Sequence, residues 1–428
     1  ELVEYIKGNL IAEKGGALSS LDGIFLSSTD SLNYSTGFQI AKDVLDIKYN
    51  DLGRIEIDSN GSITKQADLF FLGGGTNVSQ SRSKVAAFVE INQIFSNNLD
   101  LRFALRYENF SSQESLDPKI SIKYQPSDVF ALRFSSSSSF TMPSMAQMYG
   151  SDIVLGSVRD VTGSVFVRQG QIGNPNLKPA KSINTNLGFL IFPSNTSSIS
   201  FDFFDFRYKD RIEAESAQAM VLNNPSSPSI SRNSSGEITG VTASYINEER
   251  SFINGLDFSA NVIHDFEKFG SLNFKVSSTT LFYFLTPHHH EENNNREELI
   301  DRVGKFNYDA HTHSLPKNKI NIFLSWNYNE FSLDWASRYV SGYSNERVIS
   351  DYAKSLGYTN EVDEFLVHDI SITRSFLLET GKLDLKFGII NLLNKKAPRL
   401  YDAPDFSFDT RLHDPTGRTY NFSIQYQL

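Results

Sequence analysis

Leu99-Asp100-Leu101-Arg102-Phe103-Ala104-Leu105-Arg106-Tyr107-Glu108 is a stretch in which apolar side chains alternate with mostly charged ones. Successive side chains of a β-strand point to opposite faces, so Leu101, Phe103 and Leu105 share one face while Arg102 and Arg106 share the other. An apolar face can meet lipid, and a charged face can meet water. The stretch therefore predicts a strand that separates two different environments.

The same alternation recurs along the chain and predicts further strands of this kind. The two-residue turn Asn329-Glu330 joins two alternating segments and would pair Tyr328 with Phe331 in a hairpin. Other apolar faces carry Ile322, Leu324, Leu385 and Phe387, and the polar side near the C-terminus carries Asp384 and Lys386. The pattern predicts about thirteen strands from residue 83 onward and roughly two to four in 1–82, where residues 15–35 are expected to form a loop.

The order of the connections separates a membrane barrel from a soluble β-sandwich, which shows the same alternation. Short turns are expected at 96–98, 125–128, 193–196, 265–270, 329–330 and 378–381. Long polar loops are expected at about 109–117, 138–181, 211–246, 287–315, 344–362 and 394–417. This regular order is typical of outer-membrane barrels, in which the turns lie on the periplasmic rim and the loops lie outside.

The composition excludes several classes of protein. The mean hydropathy of the 428 residues is -0.30, and no apolar run approaches the ~18 residues of a transmembrane helix. The absence of cysteine excludes disulfides and thiolate chemistry. A net charge of -10 argues against nucleic acid as a partner. Since no phosphate-binding glycine loop, nucleophile elbow or zinc-protease motif occurs, we expect no catalytic residues, no cofactor and no enzyme.

Several motifs follow one another in the order found in one family of outer-membrane proteins. They lie at 67–71, 84–90, 140–144, 173–179, 254–257, 388–398 and 414–420. Together, over about residues 64–428, they resemble the TonB-dependent receptor family. Residues 173–179 resemble the family's Asn-Pro-Asn-Leu-Lys-Pro element. We expect an architectural role for Phe140, Pro143, Asn174, Pro175, Asn176, Leu177 and Pro179.

The resemblance implies an all-β fold, a transmembrane antiparallel β-barrel that is partial in this chain and has about 22 strands when complete. Residues 1–428 would be the C-terminal part of the barrel domain, without the plug domain and TonB box of the family. The last strand ends in Leu428, where the family usually has Phe. A stripe on this strand would be read by the barrel assembly machinery, and it consists of Tyr420, Phe422, Ile424, Tyr426 and Leu428.

The resemblance also implies a function. Receptors of this family bind a scarce large solute at their outer loops, here about 138–181, 211–246 and 287–315, and import it when the inner-membrane TonB complex pulls on the plug. We therefore expect a receptor in the outer membrane of a Gram-negative bacterium, surrounded by lipid and lipopolysaccharide. Its ligand would be a ferric siderophore, a saccharide or another nutrient. Haem is disfavoured because residues 138–173 lack the histidine that haem receptors of the family carry there.

Two alternatives to a receptor fit the same strands. A passive porin-like channel would need a constricting inward loop, and a surface barrel without transport would need only the loops. The sequence upstream of a barrel distinguishes them, because a plug and a TonB box belong to the receptor alone. The three alternatives share the lipid-facing wall.

Two groups of polar residues are candidate chemical sites. His288, His290, His311 and His313 lie in one long loop and could bind zinc or copper, although a solvated loop is the simpler interpretation. A second group lies in a Phe-rich strand and consists of Asp202, Asp205 and Arg207. A shift of phase near residues 203–204 predicts a bulge, and a row of charges that faces the lumen explains this group better than catalysis.

Overall fold

The computed structural model describes residues 8–58, 63–96, 98–110, 113–160, 163–287, 299–307, 313–345, 349–401 and 407–428. Its main element is a large antiparallel sheet, in which each strand pairs with the next sheet strand along the chain. Shorter strands and three short helices lie in the connections. No helix in these ranges is long and apolar enough to cross a membrane.

In the described residues, five shorter strands of the connections pair with the large sheet, and its body consists of fifteen long strands. In chain order they are Ala12–Ser28 (β1), Leu32–Tyr49 (β2), Val78–Ser96 (β3), Leu99–Asn109 (β4), Glu114–Ser127 (β5), Phe130–Thr141 (β6), Ala180–Ser194 (β7), Ser197–Ala214 (β8), Ile238–Asp265 (β9), Ser271–Pro287 (β10), Asn318–Tyr328 (β11), Phe331–Val340 (β12), Phe365–Leu378 (β13), Gly381–Ile390 (β14) and Thr419–Gln427 (β15). The predicted all-β class and strand number are confirmed, with thirteen strands from β3 to β15 and two before them.

The register places apolar and charged side chains on opposite faces of this sheet. Residues that pair directly across antiparallel strands lie on the same face. One row crosses β4 to β9 through Leu101, Ile122, Phe134, Leu187, Phe203 and Leu256. On the same face, another row crosses β11 to β15 through Leu324, Trp335, Ile370, Ile389 and Tyr420. We call this side the apolar face and the other side the polar face.

The predicted sorting of side chains between two faces agrees with the register. The apolar face carries Leu101, Phe103, Leu105, Ile322, Leu324, Leu385 and Phe387. The polar face carries Arg102, Arg106, Asp384 and Lys386. The hairpin around Asn329-Glu330 also forms as predicted, with Tyr328 opposite Phe331.

The loop expected at residues 15–35 is wrong, because these residues form most of β1 and the beginning of β2. β1 pairs with β2 from Ala12 opposite Tyr49 to Ser28 opposite Asn33. The glycine content that suggested a loop has a packing role at Gly23, where a Cβ would lie 2.4 Å from the Phe38 ring on β2. A glycine in a strand lets an aromatic ring of the next strand cover the backbone.

Two boundaries also differ from the expectation. The connection near 109–117 is short rather than long, because β4 ends at Asn109 and β5 begins at Glu114. The loop expected at 138–181 ends slightly earlier, because β7 begins at Ala180, which pairs with Thr141 at the end of β6. The pairing partner of a strand end lies far away in the sequence, so local alternation underestimates strand length.

The six predicted short turns connect neighbouring strands at one rim, and the long connections lie at the opposite rim, which we call the loop rim. Short strands in the long connections are Glu56–Ile57, Ile63–Lys65, Gly74–Gly75, Ser151–Asp160, Gly163–Ile172, Ile230–Arg232, Leu299–Asp301, Lys305–Asn307, His313–Leu315, Tyr343–Asn345 and Glu361–Val362. The helices are Met145–Tyr149 (α1), Ala217–Asn223 (α2) and Asp351–Ser355 (α3), and Phe70–Leu72 forms a 3-10 turn.

β1 and β15 are the two edges of the large sheet. Within the described ranges, each of them pairs on one side only, β1 with β2 and β15 with β14. Leu18 and Phe25 on β1, and Phe422 and Ile424 on β15, are more than half exposed. Unpaired strand edges are costly in lipid, so the sheet agrees with the predicted partial barrel.

Candidate ligand-binding rim

Two of the long connections pack against each other and form a small sheet, which we call loop sheet I. The hairpin of Ser151–Asp160 and Gly163–Ile172 pairs in parallel with the first part of β9, from Arg168 opposite Gly240 to Ile172 opposite Ser244. Its core consists of Val158, Val167, Val221, Ile230, Ile238 and Val241. The segments expected as polar loops at 138–181 and 211–246 are therefore folded around an apolar core.

A second set of connections forms loop sheet II at the same rim. Its strands are His313–Leu315, Lys305–Asn307, Tyr343–Asn345 and Glu361–Val362. Phe306, Tyr343, Val362 and Leu400 form its buried core. Both loop sheets thus present fixed surfaces, because buried apolar side chains restrict the backbone of the connections.

One face of the hairpin in loop sheet I carries an exposed ring beside a cation. Leu155 pairs with Arg168, and Phe166 lies two residues before Arg168 on the same face. Phe166 is 77% exposed and Leu155 is 46% exposed. Arg168 forms no ion pair with a described residue, and burial lowers the pKa of its guanidinium. A partly desolvated cation beside apolar surface can bind an anionic ligand that has an aromatic or apolar part.

The orientation of this face follows from Arg159, which shares it by the strand alternation. The Arg159 Nη2 donates a hydrogen bond of 3.3 Å to the Tyr401 hydroxyl, and its guanidinium lies 5.8 Å from the Tyr401 ring. Tyr401 follows Leu400, which belongs to the core of loop sheet II. The face with Leu155, Phe166 and Arg168 is therefore turned toward loop sheet II.

Loop sheet II buries a histidine without a hydrogen bond. His413 is 4% exposed, and its ring lies 6.1 Å from the Tyr343 ring and 5.2 Å from the Phe365 ring. Neither ring nitrogen has a hydrogen-bond partner among the described residues. Burial lowers the pKa of His413, although the charge of Asp409 acts in the opposite direction. The imidazole is therefore neutral near pH 7.

The polar face of the large sheet carries fixed ion pairs between the two rims. Arg133 contacts Asp202 at 2.5 Å, and Arg106 contacts Glu108 at 2.6 Å. Asp202 is 8% exposed and bonds both Nε and Nη2 of Arg133. Such paired charges suit a hydrated wall, because each buried carboxylate has a cation partner.

The predicted bulge at residues 203–204 is wrong, and so is the expectation that all three nearby charges face the lumen. Phe203 pairs with Leu187 on β7 and Leu256 on β9 in an unbroken register. Asp202 is therefore on the polar face, whereas Asp205 and Arg207 are on the apolar face. β8 carries aromatic rings on both faces, so the alternation of apolar and polar residues could not be read correctly from this Phe-rich segment.

The architecture matches a known family of membrane barrels. A family model described as TonB dependent receptor-like, beta-barrel matches residues 13–392. The chain belongs to this family. The family consists of outer-membrane transporters and receptors rather than enzymes. A search among curated proteins finds no match.

Solved structures of TonB-dependent receptors share the fold of this barrel chain. The siderophore receptor PirA of Acinetobacter baumannii has 16% identity and a TM-score of 0.63, with 97% of this chain and 55% of that chain covered. A variant of the ferric enterobactin receptor PfeA of Pseudomonas aeruginosa, in complex with enterobactin, has 15% identity and a TM-score of 0.65, with coverages of 96% and 54%. The FrpB iron transporter of Neisseria meningitidis has 14% identity and a TM-score of 0.59, with 96% and 56% covered.

The chain spans little more than half the length of these structures. The comparisons therefore show the fold of the TonB-dependent receptor barrel, and the activity, substrate and partners of the whole protein are proposals. Identities near 15% carry no information about the ligand.

The Asn-Pro-Asn-Leu-Lys-Pro element of this receptor barrel contacts loop sheet I and β9. The Asn174 Nδ2 donates to the Tyr245 carbonyl at 2.9 Å, and the Asn176 amide donates to Asn174 Oδ1 at 2.9 Å. The Lys178 amide donates to Asn247 Oδ1 at 2.8 Å, while Leu177 is 7% exposed. Pro175 and Pro179 flank these bonds, and β7 starts directly after Pro179.

Phe140 and Pro143 lie where β6 leaves the sheet. The Phe140 ring lies 5.9 Å from the Phe110 ring, and the Pro143 carbonyl accepts a hydrogen bond of 2.6 Å from Arg82 Nη1. Pro143 is fully buried, and α1 begins two residues later with a capping box formed by Ser144. These contacts fix the path of the chain out of the sheet.

The predicted metal candidates cannot be placed. His288, His290 and His311 lie outside the described residues, and only the backbone of His313, in the strand His313–Leu315, is described. Across the rest of the described chain, no group of three or more His, Cys, Asp or Glu residues could hold a metal ion.

Two features of the loop rim were not identified from the sequence. Arg168 and Phe166 carry no local motif, and only an alternating segment at 163–172 could have indicated a strand in that loop. His413 lies in a polar segment, and its burial depends on rings from two other parts of the chain. Neither position could be found by periodicity alone.

Proposed function

We propose that this chain forms the wall of a TonB-dependent receptor that takes up a scarce, anionic solute across the outer membrane. The observation that carries the proposal is the set of apolar rows that cross one face of the large sheet, with folded loops confined to the rim opposite the short turns. Membership of the TonB-dependent receptor family supports it, as do the folds of known siderophore and iron transporters. We propose a ferric siderophore as the ligand class.

The apolar face would meet lipid, and the polar face would line the lumen. Tyr328, Phe331 and Trp326 lie at the turn rim, where the Trp326 Nε1 donates to the Phe269 carbonyl at 2.8 Å. Aromatic side chains at the ends of an apolar band are typical of barrels at the two membrane interfaces. In the receptors of this family, the TonB complex acts on a plug inside the barrel, and these residues would form the wall around it.

The ligand would bind at the loop rim, on the face with Leu155, Phe166 and Arg168. The exposed ring of Phe166 and the Arg168 guanidinium, which has no ion-pair partner in the described part of the chain, suit an anionic chelate with aromatic groups. The contacts of the Asn-Pro-Asn-Leu-Lys-Pro element support an architectural role, since its hydrogen bonds go to β9 and to the element itself. The stripe that ends at Leu428 would serve the barrel assembly machinery.

Uptake by cells that express the protein as its gene encodes it tests the proposal. Energised cells should accumulate iron from a panel of ferric siderophores, and an uncoupler or loss of TonB should stop accumulation. Arg168→Ala should lower uptake at least ten-fold. The control Lys268→Ala, which removes an exposed cation from the short turn between β9 and β10 at the opposite rim, should leave uptake unchanged. Uptake that persists without TonB would indicate the passive channel instead.

A further inference from the structure

A row of three cations lies on the apolar face of the large sheet. Lys181 of β7 pairs directly with Lys209 of β8, and Lys209 pairs directly with Arg250 of β9. All three side chains are exposed. None of them forms an ion pair with another described residue, whereas Arg207, two residues along β8 from Lys209, contacts Asp205 at 2.7 Å. We call these three residues the cation row.

The cation row is unfavourable for the sheet by itself. Residues directly opposite on neighbouring strands have Cβ atoms about 5 Å apart, and like charges at such positions repel each other. Three cations in succession therefore need an anion that contacts more than one of them. Within the described sheet, the other cations of this face have different neighbours. Lys42, for example, lies between Ser19 and Ser83.

The position of the row identifies the kind of anion. Two residues further toward the turn rim, about 7 Å along the strands, the apolar face carries Ile183 and Phe252 on either side of Arg207, whose charge is paired with Asp205. The row of Leu187, Phe203 and Leu256 follows after one polar row. Long cationic side chains at the end of an apolar band place their charge at the headgroup level of a membrane.

We propose that the cation row binds the phosphate groups of a phosphorylated lipid in the outer leaflet, with its acyl chains on the apolar rows below. A phosphorylated lipid matches both features of this surface, because its phosphate neutralises the cation row and its acyl chains cover the apolar rows. Free phosphate would neutralise the cation row but would leave the apolar rows uncovered. The inference rests on the proposed function in one respect, namely that the apolar face meets lipid. It does not depend on the identity of any transported solute.

The test uses purified protein, as its gene encodes it, in detergent. Diphosphorylated lipid A is titrated by native mass spectrometry against the wild type, the triple variant Lys181→Gln/Lys209→Gln/Arg250→Gln, and the control Lys42→Gln. The triple variant should bind at least ten-fold more weakly, and the control should bind as the wild type does. Lipid A without its phosphates should bind equally weakly to all three proteins, and millimolar inorganic phosphate should not displace the bound lipid.

Equal binding to the wild type and the triple variant would overturn the proposal. Displacement by inorganic phosphate would also overturn it, since the site would then select phosphate rather than lipid. Thermal stability provides a second measurement if the triple variant folds poorly. Lipid A should raise the melting temperature of the wild type clearly more than that of the milder variant Lys209→Gln. Equal shifts would contradict the proposal. Uptake by these variants, measured separately, reports on the proposed function alone.

Discussion

At the scale of single residues, adjacent side chains of one strand should differ sharply in their tolerance of charge. Phe103 lies on the apolar face, and Ala104 lies on the polar face between Glu90 and Lys119. Phe103→Arg should lower the free energy of unfolding by about 2–4 kcal/mol if the site is near the middle of the membrane. Ala104→Arg should change it by less than about 1 kcal/mol. Urea titration in lipid vesicles compares the two, and equal losses would contradict the assignment of faces.

Burial of His413 should make the folded protein less stable as the pH falls. The folded-state pKa of His413 lies below the ordinary value of 6.5, so the unfolded state takes up a proton first as the pH falls. Its stabilising effect is therefore complete above pH 6.5 and is lost as the pH falls toward the lowered folded-state value. The hydrogen-exchange protection factors of Tyr343–Asn345, which are corrected for the intrinsic pH dependence of amide exchange, should be lower at pH 5.5 than at pH 7.5. His413→Phe, which keeps the ring contacts, should remove most of that difference, and an unchanged difference would point to Asp409 instead.

At the scale of elements, the last strand closes the sheet on one side and carries an exposed apolar stripe. β15 pairs only with β14 in the described structure, and Tyr420, Phe422, Ile424 and Tyr426 are all at least 45% exposed on the apolar face. Removal of residues 426–428 should slow assembly into the membrane in cells by more than ten-fold. The stability of the folded barrel should fall much less, because Leu428 lies beyond the strand and only the last pairs with β14 are lost. Similar losses in both measurements would show that the stripe only holds the strand.

At the scale of the whole molecule, the two rims should lie on opposite sides of the membrane. The chain contains no cysteine, so single cysteines can be labelled selectively. Ser235→Cys lies in a long connection beside the exposed turn at Gly236, and Glu379→Cys lies in the short turn between β13 and β14. A maleimide that cannot cross the membrane should label the first variant in intact cells and the second only after lysis. The opposite labelling pattern would show that the loop rim faces the periplasm and would contradict the assigned orientation.

The sequence by itself determined the all-β class, most of the strands after residue 83 and the faces of those that alternate cleanly. Alternation with a period of two is local, so Leu101 and Arg102 reveal their faces without knowledge of their neighbours. Tertiary structure alone decided which residues meet across strands and between loops. Lys181, Lys209 and Arg250 form one row, and His413 reaches Tyr343, only because the register brings distant segments together. A register shift of one residue would reverse every face, and local composition does not encode that distance.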